Sequence, residues 1–198
     1  MREIEQSMAE TAAKNSAYHL KKTVVMVGMM GAGKTAVGRA LAVKLGVPFV
    51  DSDAKIVEAA NMSVPEIFAR DGEAFFRKRE AQVIARLLDQ APGILSVGGG
   101  AFLSAANQQE ISAKGVSVWL NADLDLLWSR VRHRDTRPLL RTKNPRETLT
   151  ALFADRVPLY EKADLSVRCM PKLSIEEMAQ RVIETLLSRP DVLESSNA

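Results

Sequence analysis

The sequence predicts an α/β fold, a parallel sheet of about five strands with helices on both faces, and two observations carry that prediction. Short apolar runs alternate with helical patterns along most of the 198 residues, as in successive β-α-β units. At the first such junction the chain reads Gly28-Met29-Met30-Gly31-Ala32-Gly33-Lys34-Thr35, a complete G-x-x-x-x-G-K-[ST] loop. A fold of this kind binds its ligands at the C-terminal edges of the strands.

The elements follow in order. Thr23-Val24-Val25-Met26-Val27 is the first buried strand, and Lys34 to Leu45 the helix after the loop. Val47-Pro48-Phe49-Val50 is a second strand that delivers Asp51-Ser52-Asp53 to its end. Ser63-Val64-Pro65-Glu66 is a capping box that opens a short helix to Arg70. Asp71-Gly72-Glu73 starts another, with Phe76, Val83, Ile84, Leu87 and Leu88 as its apolar stripe. Gly93 to Val97 and Val116 to Leu120 are further strands, with a helix from Asp123 to about Arg134. A strand at Leu165-Ser166-Val167 and a helix from about Ser174 to Ser188 close the pattern.

One stretch, about residues 131–147, is rich in arginine, interrupted by Pro138 and Pro145, and without apolar periodicity. In a protein that must shield a phosphoryl group from water it reads as a mobile lid; the plainer alternative is a solvated loop. Residues 1–20 read as an N-terminal extension, 21–189 as a single domain, and 190–198 as a C-terminal tail, because both ends are polar and weakly patterned.

Bulk composition narrows the partners. Lys plus Arg is 27 against 24 acidic residues, a net charge of +3, and the clearest basic cluster, Arg130 to Arg146, is too local for a nucleic-acid face. It suits a small, highly anionic ligand. No apolar run approaches a membrane span, and the first twenty residues carry Glu3, Glu5 and Glu10 without the apolar core of a signal peptide. One cysteine, Cys169, excludes an internal disulfide. The expectation is a cytoplasmic protein, with no nucleic-acid or membrane partner, acting as a monomer.

The loop assigns chemistry to its residues. Glycine lets the backbone approach a triphosphate closely, Lys34 reaches the β and γ phosphates as a mobile charge, and the Thr35 hydroxyl can ligand a magnesium ion. The helix that begins at Lys34 points its positive end at the same anion. Asp51 and Asp53 lie at alternate positions of one strand end; one carboxylate can serve the metal while the other accepts hydrogen bonds from hydroxyls, although either can also be a helix cap. Arg77 and Arg156 lie on distant segments. Each guanidinium can grip a carboxylate bidentately, or be plain surface charge. Gly98-Gly99-Gly100 at a strand end can admit a compact polar ring, or only make a turn.

Together these motifs resemble the shikimate kinases, small P-loop kinases of aromatic amino-acid biosynthesis. The resemblance covers roughly residues 22 to 170. It rests on the phosphate loop with Val37-Gly38-Arg39, Asp51-Ser52-Asp53, Asp71-Gly72-Glu73 through Phe76-Arg77 to Glu80, Ser96-Val97-Gly98-Gly99-Gly100, Arg137-Pro138-Leu139-Leu140, and Arg156-x-Pro158-Leu159-Tyr160. It implies a P-loop kinase fold and transfer of phosphate from ATP to the 3-hydroxyl of shikimate, with one magnesium ion accompanying ATP.

By that resemblance Asp53 holds the ring hydroxyls and is the candidate base, and Arg77 and Arg156 clamp the carboxylate. Gly98, Gly99 and Gly100 contact the substrate. Gly31, Ala32, Gly33, Lys34, Thr35 and Ala36 hold the phosphates, Thr35 ligands magnesium, and Asp51 supports the ion through water. Arg137 arrives with the lid to neutralise the transferring group, and Arg130 matches a nucleotide-contacting arginine by spacing. Ala36 departs from the second hydroxyl residue often found after the loop threonine, and no adenine-contacting segment is legible beyond Pro171. A gluconate-type or nucleoside monophosphate kinase, or a catalytically silent nucleotide sensor, are the rival readings; neither needs Asp53, Arg77, Gly99 and Arg156 together.

Overall fold

A computed structural model of the chain describes residues 17–133 and 138–196. Strand β1 (Tyr18–Leu20) is followed by β2 (Thr23–Val27), whose five residues are all buried. A strand buried on both faces reads as a continuous apolar run, so helices must cover both sides of the sheet. Helix α1 (Lys34–Leu45) follows, then β3 (Phe49–Asp51), α2 (Ser52–Ala60) and α3 (Val64–Leu88). β4 (Ile94–Ser96), α4 (Ala105–Lys114), β5 (Gly115–Asn121), α5 (Leu124–Val131), α6 (Pro145–Tyr160), β6 (Leu165–Arg168), α7 (Ile175–Leu186) and β7 (Leu193–Ser195) complete the order.

The sheet is five-stranded and wholly parallel, in the order β3-β4-β2-β5-β6. β2 lies at its centre, and the chain runs from β2 outward to β3 on one side before returning to β5 on the other. The order therefore reverses across β2, and a crevice opens where the β2, β3 and β4 ends meet, which is where such sheets bind ligands. The main core gathers the inward residues of β2, β4 and β5 with Leu41, Ile84, Leu127, Leu149 and Val182 from the surrounding helices. A second, smaller cluster of Ile56, Ile67 and Phe76 joins α2 to α3.

Several details differ from the sequence expectation. The two helices expected on either side of Asp71 form one element, broken locally at Gly72, where φ is 81° and ψ 166°. The Ser63–Glu66 capping box is present as read: Glu66 N donates to Ser63 Oγ and Ser63 N to Glu66 Oε2. Of the stretch read as a lid, the ends are helical, Val131 closing α5 and Pro145 opening α6, with a 3₁₀ turn at Pro138–Leu140 between them. Pro145 fits there because the first helical turn has no use for its missing N–H.

The termini read as unpatterned also carry structure. β1 pairs antiparallel with β7, so Tyr18–Leu20 and Leu193–Ser195 form a two-stranded ribbon. Ion pairs of Lys21 with Glu194 and of Lys22 with Asp191 tie it together. Three-residue strands are too short for period-two alternation to show in a sequence.

Candidate active site

The phosphate loop leaves the centre of the sheet and turns into α1. Gly31 and Gly33 have φ of 85° and 100°, values that L side chains rarely adopt, which fixes glycine at both positions. The loop so formed directs the α1 N-terminus into a cleft of about 640 Å³, lined by Gly31 to Val37, Arg39, Asp51, Asp53, Ser96 to Gly99, Arg130 and the start of α7. Lys34 Nζ lies against the loop itself, donating to Gly28 O at 2.8 Å and Met29 O at 3.2 Å. Arg130 Nη1, from α5, donates to Gly31 O and Ala32 O at 3.2 Å each, so this guanidinium borders the loop.

β3 and β4 bring the oxygen ligands. Thr35 Oγ1 donates to Asp51 Oδ2 at 3.1 Å and lies 3.4 Å from Ser96 Oγ. The other Asp51 oxygen accepts from Asp53 N (3.1 Å) and Ala54 N (3.3 Å), so Asp51 is the N-cap of α2. The cap alternative open for the aspartate pair therefore falls to Asp51, whose backbone is extended (φ −108°, ψ 120°) as a cap requires. Asp53, one turn into the helix, turns to the glycine run: a Cβ on Gly98 would sit 2.8 Å from Asp53 Oδ1 and 3.1 Å from Glu80 Oε1.

Arg77 comes from α3 and packs over the far end of the same run. A Cβ on Gly100 would lie 2.5 Å from Arg77 Nη2 and 2.6 Å from its Cζ, so only glycine leaves room for the guanidinium. Arg77 Nη1 donates to Glu80 Oε2 at 2.8 Å, and Nη2 to Glu73 Oε1 at 3.1 Å. The guanidinium also lies 5.4 Å from the Phe76 ring centroid. Glu80 is 1% exposed; burial pushes its carboxyl above the usual range, against the pull of Arg77. Arg156, from α6, reaches the middle of the run: its Nη1 would be 3.9 Å from a Cβ on Gly99.

Thus β2, β3 and β4 place a phosphate cradle, a hydroxyl with two oxygen neighbours, a carboxylate and two arginines around one glycine turn. Arg137 lies outside the described residues. Four positions that carried no role in the sequence reading belong to this arrangement: Ser96, Glu80, Tyr160 and the Leu173–Ile175 segment. Glu80 and Tyr160 stand three and four residues after Arg77 and Arg156, helical spacings that place each beside its arginine. Ser96 ends a buried strand, as catalytic residues of parallel sheets do. Leu173, Ser174 and Ile175 had no such local signal; they reach the cleft because α7 packs along α1.

Comparison with known proteins adds an independent line. The family described as "Shikimate kinase" matches residues 30–187. The chain is 66% identical over 196 residues to a shikimate kinase of Ruegeria pomeroyi, covering 99% of this chain and 100% of that one. It is 64% identical over 176 residues to a shikimate kinase of Cereibacter sphaeroides, covering 89% and 88%. Among solved structures, shikimate kinase from Acinetobacter baumannii in complex with shikimate superposes with a TM-score of 0.81 at 34% identity, covering 91% of this chain and 97% of that one.

Proposed function

This chain belongs to the shikimate kinase family, and from that premise we propose how its own residues divide the work of the family's reaction. The reaction is ATP-dependent phosphorylation of the 3-hydroxyl of shikimate, giving shikimate 3-phosphate and ADP, a step of aromatic amino-acid biosynthesis. The observation that carries the residue assignment is the convergence of Arg77 and Arg156, from helices α3 and α6, on the Gly99–Gly100 turn beside Asp53.

A shikimate carboxylate offers two oxygens, and two guanidinium groups from opposite sides hold it in one orientation. That orientation carries the ring over Gly98 and Gly99 with its hydroxyls toward Asp53. The substrate 3-oxygen attacks the γ phosphorus, the bond from that phosphorus to the β–γ bridging oxygen breaks, and the hydroxyl proton passes to Asp53. Lys34 turns from the loop carbonyls to the β and γ phosphates, and the loop N–H groups of Gly31 to Ala36 bind the remaining charge. Arg137 is assigned by resemblance to the charge on the transferring group, arriving with the lid. Arg130 and the apolar Leu173–Ile175 segment border the loop on the side where the nucleoside extends.

The donor set fits magnesium. Thr35 Oγ1 with Asp51 Oδ2 supplies a hydroxyl and a single carboxylate, both hard oxygen donors. That suits an ion that keeps several waters and takes the rest of its ligands from phosphate. Thr35 would hold it directly and Asp51 through water; when bound, the ion neutralises charge on the β and γ oxygens. Every residue in this assignment comes from one chain, so a monomer acting in the cytoplasm is part of the same reading.

The carboxylate clamp is tested by Arg77→Ala and Arg156→Ala kinetics. Each should raise KM for shikimate by roughly ten- to a hundredfold, the worth of one charge-assisted pair, while KM for ATP stays within about twofold. An unchanged shikimate KM in either variant removes that arginine from the clamp.

A further inference from the structure

The arginine and the glycine turn share a group that the reaction itself does not use. Tyr160 ends α6 four residues after Arg156, so both side chains leave one face of the helix. Its side chain is fully buried, and the ring stacks on Trp119 with centroids 6.3 Å apart and planes 22° from parallel. The Tyr160 hydroxyl donates to Gly99 O. A Cβ on Gly99 would lie 3.7 Å from that hydroxyl oxygen and 3.9 Å from Arg156 Nη1, so phenol and guanidinium meet over the same residue. Trp119 in turn packs at the start of the phosphate loop, its Cδ1 lying 3.2 Å from where a Cβ on Gly28 would stand.

We propose that Tyr160 is a positioning residue for the acid substrate: its proton is fixed on Gly99 O, and its remaining lone pairs face Arg156 and hold that guanidinium over the glycine turn. The inference rests on the assignment of Arg156 to the substrate carboxylate. A phenol has one proton to donate and two lone pairs to offer, so a single hydroxyl can fasten the turn and the arginine at once. Burial pushes the phenol up to about 12, against the opposing pull of Arg156 by charge and hydrogen bond and of Arg77 by charge, so the proton that binds Gly99 O is retained at neutral pH. Phenylalanine would fill the same volume and keep the Trp119 stack but leave Arg156 with one fewer acceptor. The substrate would then have to order the arginine as it binds.

The test is Tyr160→Phe alone and combined with Arg156→Ala in the full chain. Tyr160→Phe should raise KM for shikimate about tenfold, the loss of one hydrogen bond to a charged group, with kcat and KM for ATP within about twofold. In the Arg156→Ala background the same change should add nothing to KM for shikimate. A large Arg156→Ala effect that Tyr160→Phe multiplies in full, or an equal rise in both Michaelis constants, overturns the positioning role and leaves the clamp standing. An Arg156→Ala variant with normal KM for shikimate overturns the clamp first and the proposal with it.

A spectroscopic measurement covers a Tyr160→Phe protein that folds poorly. The chain has two tyrosines, Tyr18 and Tyr160, so 3-fluorotyrosine labelling gives two fluorine resonances, and Tyr18→Phe assigns them. Saturation with shikimate should shift the Tyr160 resonance in the otherwise native chain and leave it in place in Arg156→Ala. A Tyr160 resonance that shikimate does not move, or moves equally without Arg156, refutes the inference.

Discussion

Gly100→Ala isolates the Arg77 contact without removing any functional group. Gly100 has φ −92° and ψ −15°, a conformation alanine adopts without strain, so the perturbation is purely steric. Its new methyl would lie 2.5 Å from Arg77 Nη2 and 2.6 Å from Cζ and Nη1. Ordinary contact begins near 3.4 Å, so the guanidinium must retreat by 3.4 − 2.5, about 0.9 Å. It is the end of a flexible side chain, so the fold should absorb the change with little loss of stability. Its freedom is limited, though, by Glu80 at 2.8 Å and Glu73 at 3.1 Å.

A displacement of that size breaks bidentate geometry, which needs N–O distances near 2.7–2.9 Å. The loss is about 1.5–3 kcal/mol, or roughly tenfold to just over a hundredfold in affinity for the acid. Steady-state kinetics with shikimate and ATP varied separately, alongside thermal unfolding, are the assay. KM for shikimate should rise by that factor with KM for ATP and the melting temperature nearly unchanged. A normal shikimate KM in a stable Gly100→Ala protein would refute the placement of Arg77 in the clamp.

Three further outcomes follow from the geometry. Asp53→Asn should lower kcat by about 10²–10⁴-fold, the usual worth of a positioned base, while ATP binding measured by calorimetry is nearly intact; normal turnover would remove Asp53 from the proton transfer. Burial raises the Tyr160 phenol from 10.0 to about 12. The folded chain therefore keeps a proton that the unfolded chain loses, and stability should fall as pH rises from about 10 to 12. Tyr160→Phe should lack that component of the pH profile, and an identical alkaline slope in the two proteins would contradict it. Burial likewise pushes the Cys169 thiol up to about 11, so a thiol reagent at neutral pH should label it slowly in the native protein and promptly in denaturant. Equal rates would contradict its burial.

The parts of this molecule that were legible in the sequence are those whose physics is local. A glycine-rich loop between an apolar strand and a helix needs no distant information, and Gly31 to Thr35 form it as read. The capping box at Ser63 and the strands around Val24, Leu95 and Val118 belong to the same class. Arg77 and Arg156 could be named from their chemistry and their motifs, but each alone was indistinguishable from surface charge. What distinguishes them is convergence on one turn, a property of the folded chain.

The roles missed depend on tertiary packing. Glu80 reads as an ordinary helix-surface residue until α3 lies against the glycine turn and buries it. Asp51 and Asp53 are two residues apart, and only the extended backbone at Asp51 decides which of them caps α2. Helix α6 was obscured by Pro145 and Pro158, although the first sits in the opening turn, where proline is tolerated. The β1–β7 ribbon joins segments more than 170 residues apart through strands of three residues, with no periodicity for a reader to find.

The central claim is that this cleft transfers the γ phosphate of ATP to shikimate. ADP release by the purified full chain with magnesium and ATP, compared across shikimate, gluconate, a nucleoside monophosphate and no acceptor, tests it most directly. The account predicts strong stimulation by shikimate and background release with the other three; stimulation by gluconate or the monophosphate in place of shikimate, or no turnover with any acceptor, would contradict it.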